Sequence, residues 1–245
     1  GFEFDQFIQQ FNNIKSFENI FIKGIYSHLA SADENNALDP TSSTQLQRKR
    51  FQELLKIINI DKKNKIKIHL ANSAGMLLGS DFHFDMVRVG LSMYGYNPLT
   101  TRNKSIKNKM LRLKPALFLK AKVTFVRNIE KGIGVSYGNN FVSRRKTKLA
   151  VLSIGYADGI IRNLSGKINL IHNKNLYPQV GSITMDQMMV DITDSNDITV
   201  GSTMLLLGSE GGETISPIDW ADKCNSIPWE ILCSFKNRLP RVQVD

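Results

Sequence analysis

Apolar residues follow two different spacings along this chain, and the change between them divides it in two. In the first part, residues 5–16 and 44–58 carry apolar side chains at helical spacing, whereas residues 21–28 and 66–70 are apolar runs typical of strands. Another such run occupies residues 86–91 after a further connecting segment. Strands that alternate with helices predict a parallel β/α barrel, and only about half a barrel is present.

From about residue 113 the apolar runs follow one another without helical segments between them. Glycines and Asn/Asp turns separate these runs, at residues 116–126, 149–154, 168–171, 188–192 and 203–207. This pattern predicts an antiparallel β domain, and residues 218–225 predict a short helix near its end. The predicted fold class is α/β plus all-β. It comprises a partial parallel (β/α)8 barrel in residues 1–108 and an antiparallel β domain in residues 109–245, joined by a polar linker at residues 97–108.

Composition indicates a globular protein of a reducing compartment. The 245 residues are 42% hydrophobic and can bury a large core, but they contain no long apolar run, so we expect no membrane partner. Cys224 and Cys233 lack metal-ligand spacing and are too few for a disulfide framework. The opening residues show no export signal, so a cytoplasmic location is expected.

The formal net charge of +10 would permit attraction to nucleic acid. The basic residues are scattered, however, without an RNA-binding signature or a zinc-finger spacing. A solvated surface is therefore favoured over a nucleic-acid partner, and the positive field also suits an anionic small-molecule ligand.

Two tyrosines beside glycines, Tyr137 and Tyr156, flank the basic segment 144–146. Glycine lets the backbone turn tightly and bring a phenol close to a ligand. The apolar run at residues 149–154 predicts a buried strand that ends near Tyr156 and Asp158. Taken alone, the pattern also fits tyrosines that pack beside β-turns.

Motifs spread over nearly the whole chain are together specific. They are Ser27-His28-Leu-Ala-Ser-Ala-Asp33, Ala71-Asn72-Ser73, Val87-Arg88-Val-Gly90-Leu91-Ser-Met-Tyr94-Gly95, Val135-Ser136-Tyr137-Gly138, Ile154-Gly155-Tyr156-Ala157-Asp158-Gly159 and Met185-Asp186-Gln187. With them the chain resembles the alanine racemases, isomerases that use pyridoxal 5'-phosphate and consist of a barrel followed by a β domain.

The resemblance implies that Asn72, Ser73, Gly90 and Leu91 bind the cofactor at its phosphate end. A serine hydroxyl can donate to a phosphate, and backbone amides beside a glycine can approach one closely. Ser73 could also be the N-cap of the helical piece before Met76, and the two interpretations are compatible because helix N-termini favour phosphate.

The resemblance also implies that Arg88 faces the pyridine nitrogen and that His28 lies against the cofactor ring. A guanidinium has only donors, so it does not readily protonate that nitrogen, and the weaker electron sink favours racemisation over other reactions. The residues alone leave a structural ion pair open for Arg88. His69, His83 and His172 match no motif and are interpreted as structural, and no Asp/Glu/His cluster indicates a metal.

Racemisation needs a base on one face of the α-carbon and an acid on the other, and Tyr137 is the candidate for one of them. A phenol that accepts a proton near neutral pH needs surroundings that stabilise its phenolate. By resemblance, Tyr137 reaches the barrel of the other subunit in a head-to-tail homodimer. Tyr156, Met185 and Asp186 are implied at the substrate entrance and pocket, although core packing would be the default for a lone methionine.

Departures from the family pattern complete the prediction. The lysine that forms the Schiff base with the cofactor and the arginine that binds the substrate carboxylate are expected before Gly1. Ser182 stands where the family usually has arginine, and Asn237 stands where some members have an aromatic residue. We therefore expect this chain alone to be inactive and poorly stable, since half a barrel leaves open sheet edges.

A longer parent protein is expected to interconvert L- and D-alanine and so to serve D-alanine biosynthesis. Two alternatives stay open at this point. One is a racemase for serine or another amino acid, and the other is a non-catalytic cofactor-binding or nucleic-acid-associated protein.

Overall fold

The structure, a computed structural model, describes residues 1–59, 65–99 and 113–244. The chain forms two compact units, Gly1–Ala116 and Leu117–Asp245. The predicted boundary between residues 108 and 109 lies outside the described residues, and so does most of the predicted linker. Each unit has a hydrophobic core of its own.

The first unit alternates helices with short parallel strands. Its elements are α1 (Phe4–Lys15), β1 (Gly24–Tyr26), α2 (Ser43–Ile57), β2 (Lys67–His69) and α3 (Ser73–Leu78). β1 and β2 pair in parallel, with Ile25 opposite Ile68. The predicted helices form because their apolar residues recur on one face, and the Ser42 hydroxyl caps α2 by accepting from the Gln45 amide at 3.2 Å.

The third predicted strand, at residues 86–91, is wrong in its extent. Only Met86 pairs with the sheet, as an isolated parallel bridge to His69. The Arg88 amide still donates to the Ala71 carbonyl at 2.9 Å. The Gly90 backbone (φ −113°, ψ −91°) then leaves the strand region, and a 3₁₀ turn begins at Leu91. The ladder ends because the chain turns there, which leaves Arg88 beside the carboxyl ends of β1 and β2.

The second unit is an antiparallel β domain that closes on itself. Its elements are β3 (Leu119–Ile129), β4 (Gly134–Val135), β5 (Phe141–Val142), β6 (Thr147–Leu152), β7 (Asn169–His172), β8 (Asn175–Val180), β9 (Met188–Asp191), β10 (Thr203–Glu210), β11 (Glu213–Ile215), α4 (Pro217–Cys224) and α5 (Pro228–Ser234). The main sheet runs β11-β10-β3-β6-β9-β8-β7, and β7 also pairs with β10. The pairing with β10 gives β7, the last strand of that order, a second neighbour, and the core holds the fully buried Leu152, Leu206 and Trp220.

The sequence did not predict β8, α5 or the short hairpin β4–β5. β8 contains Pro178, which cannot donate to a ladder, and the polar Asn175 and Gln179, so its strand signal is weak. Pairing with β7 and β9 holds it in the sheet nonetheless. The hairpin β4–β5 carries the candidate residue Tyr137 in its connecting turn.

Candidate active site

Arg88 joins the carboxyl ends of β1 and β2. Its Nη2 donates to the Ser27 carbonyl at 2.9 Å and to the Leu70 carbonyl at 3.2 Å. Its guanidinium lies over the Tyr26 ring, 5.1 Å from the centroid. Burial lowers the pKa of Arg88, opposed by the nearby Tyr26. Within the described ranges no carboxylate forms a salt bridge with Arg88, so the ion pair that the sequence left open is not seen there.

Two histidines face the Arg88 guanidinium. Nη1 lies 2.6 Å from His69 Nδ1, and Nη2 lies 3.2 Å from His28 Nδ1. Because arginine has only donors, both ring nitrogens accept, so His69 is neutral with its proton on Nε2. His69 also stacks on the Tyr26 ring, with the centroids 5.1 Å apart. The contact between His69 and Arg88 was not predicted from the sequence. The one feature that could have indicated it is the position of His69 at the end of an apolar strand.

We predict that His69 titrates below the ordinary histidine range. Burial first, and the Arg88 charge second, lower the pKa of His69. An unfolded chain protonates histidine at about pH 6.5, so the unfolded state binds this proton more readily. The stabilisation from neutral His69 is therefore complete above that pH and is lost as the pH falls through the folded-state value.

Proton NMR of the imidazole signals in the 245-residue chain measures this titration, with His69→Gln to assign the signal. Arg88→Met should raise the His69 midpoint, because it removes the adjacent charge. A native midpoint at or above about 6.5, unchanged in Arg88→Met, would contradict the prediction.

Ser73, at the start of α3 just after β2, accepts hydrogen bonds from two backbone amides. Its Oγ accepts from the Gly90 amide at 2.8 Å and from the Ser92 amide at 3.4 Å. Asn72, and not Ser73, is the N-cap of α3, because its Oδ1 accepts from the Gly75 amide at 2.9 Å. The buried Ser92 hydroxyl has no partner among the described residues. Hydroxyls and backbone amides at a helix N-terminus can bind an oxyanion.

Tyr137 lies in the turn between β4 and β5. Residues Tyr137–Asn139 form a single 3₁₀ turn whose flanking Ser136 has φ +67°. The Tyr137 side chain is 74% exposed, so it is not a packed turn tyrosine, one of the interpretations that the sequence allowed. Its main-chain carbonyl accepts from the Ser182 hydroxyl at 2.9 Å. The Tyr137 phenol is thus exposed on the β domain, while a hydrogen bond from Ser182 fixes its main chain.

Tyr156, Met185 and Asp186 lie on two loops that are joined through the main chain. The Tyr156 amide donates to the Thr184 carbonyl at 2.9 Å. Gly155 allows this approach, because a Cβ there would lie 2.2 Å from the Thr184 carbonyl oxygen. Met185 is 53% exposed, so core packing does not account for it.

Arg238 joins the same two loops through their carboxylates. Its Nη2 lies 2.6 Å from Asp186 Oδ1, and its Nε lies 3.2 Å from Asp158 Oδ1. The hydrogen bond to Asp186 raises the pKa of Arg238. Asp158 is buried and also accepts from the Gly155 amide at 2.9 Å. The sequence predicted no contact for Arg238, because its partners Asp158 and Asp186 lie far away along the chain. Asn237 beside it is exposed.

The described residues form neither a metal-ion site nor a membrane-spanning helix. In the described part of the chain, no group of His, Cys, Asp and Glu side chains could hold a metal ion. No helix within the described ranges has the length and apolar character needed to cross a membrane.

Two family models match the chain, one for each unit. The model for the alanine racemase N-terminal domain matches residues 1–98, and the model for the alanine racemase C-terminal domain matches residues 116–243. An alanine racemase of Prochlorococcus marinus is 49% identical over 239 residues, which is 98% of this chain and 60% of that protein. An alanine racemase of Nostoc is 44% identical over 91% of this chain and 55% of its own length. The chain thus spans about 60% of the length of the Prochlorococcus relative.

Solved structures agree with the family models. The alanine racemase of Bartonella henselae, with covalently bound pyridoxal phosphate, is 34% identical, with a TM-score of 0.81 over 99% of this chain and 61% of that chain. The alanine racemase of E. faecalis is 29% identical, with a TM-score of 0.83 over 98% of this chain and 61% of its own. These likenesses confirm the predicted fold class, a partial barrel followed by an antiparallel β domain. The chain belongs to the alanine racemase family.

Proposed function

We propose that this chain supplies the ring-nitrogen, phosphate and tyrosine parts of the active site of a pyridoxal 5'-phosphate-dependent alanine racemase. The observation that carries the proposal is Arg88, a donor-only group held at the strand ends by carbonyls and by His69, without a carboxylate partner in the described ranges. Such a group suits a ring nitrogen that must stay unprotonated.

The described residues fit the cofactor. The Ser73 hydroxyl and the Gly90 amide meet at 2.8 Å, and the Ser92 hydroxyl beside them has no partner among the described residues. A Cβ on Gly90 would lie 3.9 Å from Ser73 Oγ and would partly cover it. Ser73, Gly90 and Leu91 would hold the phosphate, and Asn72 would orient this segment through its cap on α3.

The Nε–H of Arg88 is available to bind the pyridine ring of the cofactor. Its Nη groups contact the Ser27 and Leu70 carbonyls and the two histidines, whereas its Nε–H has no acceptor among the described residues. His28 is held at 3.2 Å from the guanidinium, in a position to pack on the ring that Arg88 binds. When bound, pyridoxal 5'-phosphate withdraws electrons from the substrate α-carbon and so acidifies its proton.

Tyr137 would take or return that proton on one face of the substrate, and the cofactor-binding lysine of a longer chain would act on the other. Tyr156, Met185 and Asp186 would line the entrance and the substrate pocket, with Met185 contacting alanine through its backbone. We propose a cytoplasmic, head-to-tail homodimer in which the β domain of one subunit serves the barrel of the other. The exposure of Tyr137 supports this arrangement, since its own unit does not cover it.

A racemase assay tests the proposal. The chain would carry at its N-terminus the remaining segment of the Prochlorococcus relative, a form called here the extended protein. With pyridoxal 5'-phosphate, the extended protein should convert L-alanine to D-alanine and should act poorly on L-serine. Cofactor binding without racemisation of alanine would overturn the proposal, and faster conversion of serine would reassign the substrate.

A further inference from the structure

The turn that carries Tyr137 has an unfavourable backbone. Ser136 has φ +67° and ψ −177°, a region that is almost confined to glycine, and Gly138 and Asn139 also have positive φ. The exposed Tyr137 ring has little packing of its own to hold it. The position of the phenol therefore depends on whatever holds this backbone in place.

Ser182 contacts the turn at three places. Its hydroxyl donates to the Tyr137 carbonyl at 2.9 Å and accepts from Asn140 Nδ2 at 2.9 Å. Its own carbonyl accepts from the Ser136 hydroxyl at 2.7 Å. Ser182 itself is 2% exposed, and losing its hydroxyl would remove the side-chain donor to the Tyr137 carbonyl.

The neighbouring backbone is shaped for this contact. Gly181 precedes Ser182 with φ +70°, and a Cβ there would lie 2.8 Å from the Val135 carbonyl oxygen. A side chain at this position would push the end of β8 away from β4. Gly181 thus lets Ser182 reach the tyrosine turn and bridge it through a short side chain.

We propose that Ser182 and Asn140 are positioning residues for Tyr137 and together form a hydroxyl–amide clasp that sets where the phenol is presented. The catalytic part of this inference rests on the proposed function, whereas the structural part does not. Ser182 is short and neutral, so these contacts hold the tyrosine turn without a charge at position 182.

Amide hydrogen exchange of the 245-residue chain tests the structural part. Ser182→Ala should speed exchange about tenfold in the peptide that covers Tyr137 to Phe141, because it removes two hydrogen bonds of the turn. Asn140→Ala removes only one of them at an exposed position, cannot disturb the core, and should speed exchange roughly threefold. The matched control is Ser195→Ala, which deletes another buried serine hydroxyl with two hydrogen bonds and should leave this peptide unchanged.

Kinetics of the extended protein test the catalytic part. Ser182→Ala should lower kcat about tenfold with KM little changed, and in the Tyr137→Phe background it should cause almost no further loss. Exchange that is unchanged in both Ser182→Ala and Asn140→Ala would overturn the clasp. Equal loss of kcat with and without the Tyr137 hydroxyl would overturn the positioning role. If the unsubstituted extended protein racemises no alanine, the proposed function fails, while the exchange result still decides the clasp.

Discussion

Replacing Tyr137 by phenylalanine should lower alanine racemisation by the extended protein about 10²–10⁴-fold, the usual contribution of a general acid or base. The two enantiomers are equally stable, so kcat/KM must fall by the same factor in both directions. Exchange of the α-proton with solvent distinguishes the group that acts on one face of the α-carbon from the group that acts on the other. In D2O the variant should still exchange the α-proton of the enantiomer served by the lysine, and should lose exchange for the enantiomer served by Tyr137.

Because Tyr137 is exposed, its substitution should affect the proton transfer without affecting folding. Because its side chain is 74% exposed, removing one hydroxyl should leave folding and cofactor absorbance unchanged. Tyr177→Phe is the matched control, since Tyr177 lies in the core of the same unit and loses the same atom. Retained α-proton exchange of both enantiomers in Tyr137→Phe would show that another group acts on that face.

Gly155→Ala should destabilise the extended protein by about 3 kcal/mol, the upper part of the range for overpacking. A Cβ at Gly155 would lie 2.2 Å from the Thr184 carbonyl oxygen and 2.4 Å from the Met185 carbonyl oxygen. Both are backbone atoms, so the two loops must separate. Because Tyr156 and Met185 move with those loops, KM for alanine should rise as well. Urea denaturation and steady-state kinetics measure the two effects.

Gly201→Ala separates this clash from the general cost of replacing a glycine. Gly201 has φ +94° with no heavy atom within 4 Å of a Cβ, so its substitution costs only backbone strain, about 1–2 kcal/mol. KM for alanine should not change in that variant. A Gly155→Ala protein that is no less stable than Gly201→Ala would show that the loops tolerate a wider spacing.

Much of the fold could be predicted because it follows from local spacing. The change from helical periodicity to successive apolar runs predicted a partial barrel followed by a β domain, and the predicted strands of the β domain are present. β8 escaped because proline and polar residues weakened its signal, and pairing on both sides supplied the order. The predicted strand at residues 86–91 was too long because its apolar pattern carries no information on where the ladder stops.

The proposed chemistry could be predicted from the sequence, because motif residues such as Ser73, Arg88 and Tyr137 have definite donor and acceptor properties wherever they lie. The partners of these residues, in contrast, follow from the folded structure. His69 meets Arg88 through parallel strand ends, Arg238 reaches Asp186 from 52 residues away, and Ser182 bonds Tyr137 across 45 residues. Such contacts depend on strand register and on loops packing main chain to main chain, which local spacing does not encode.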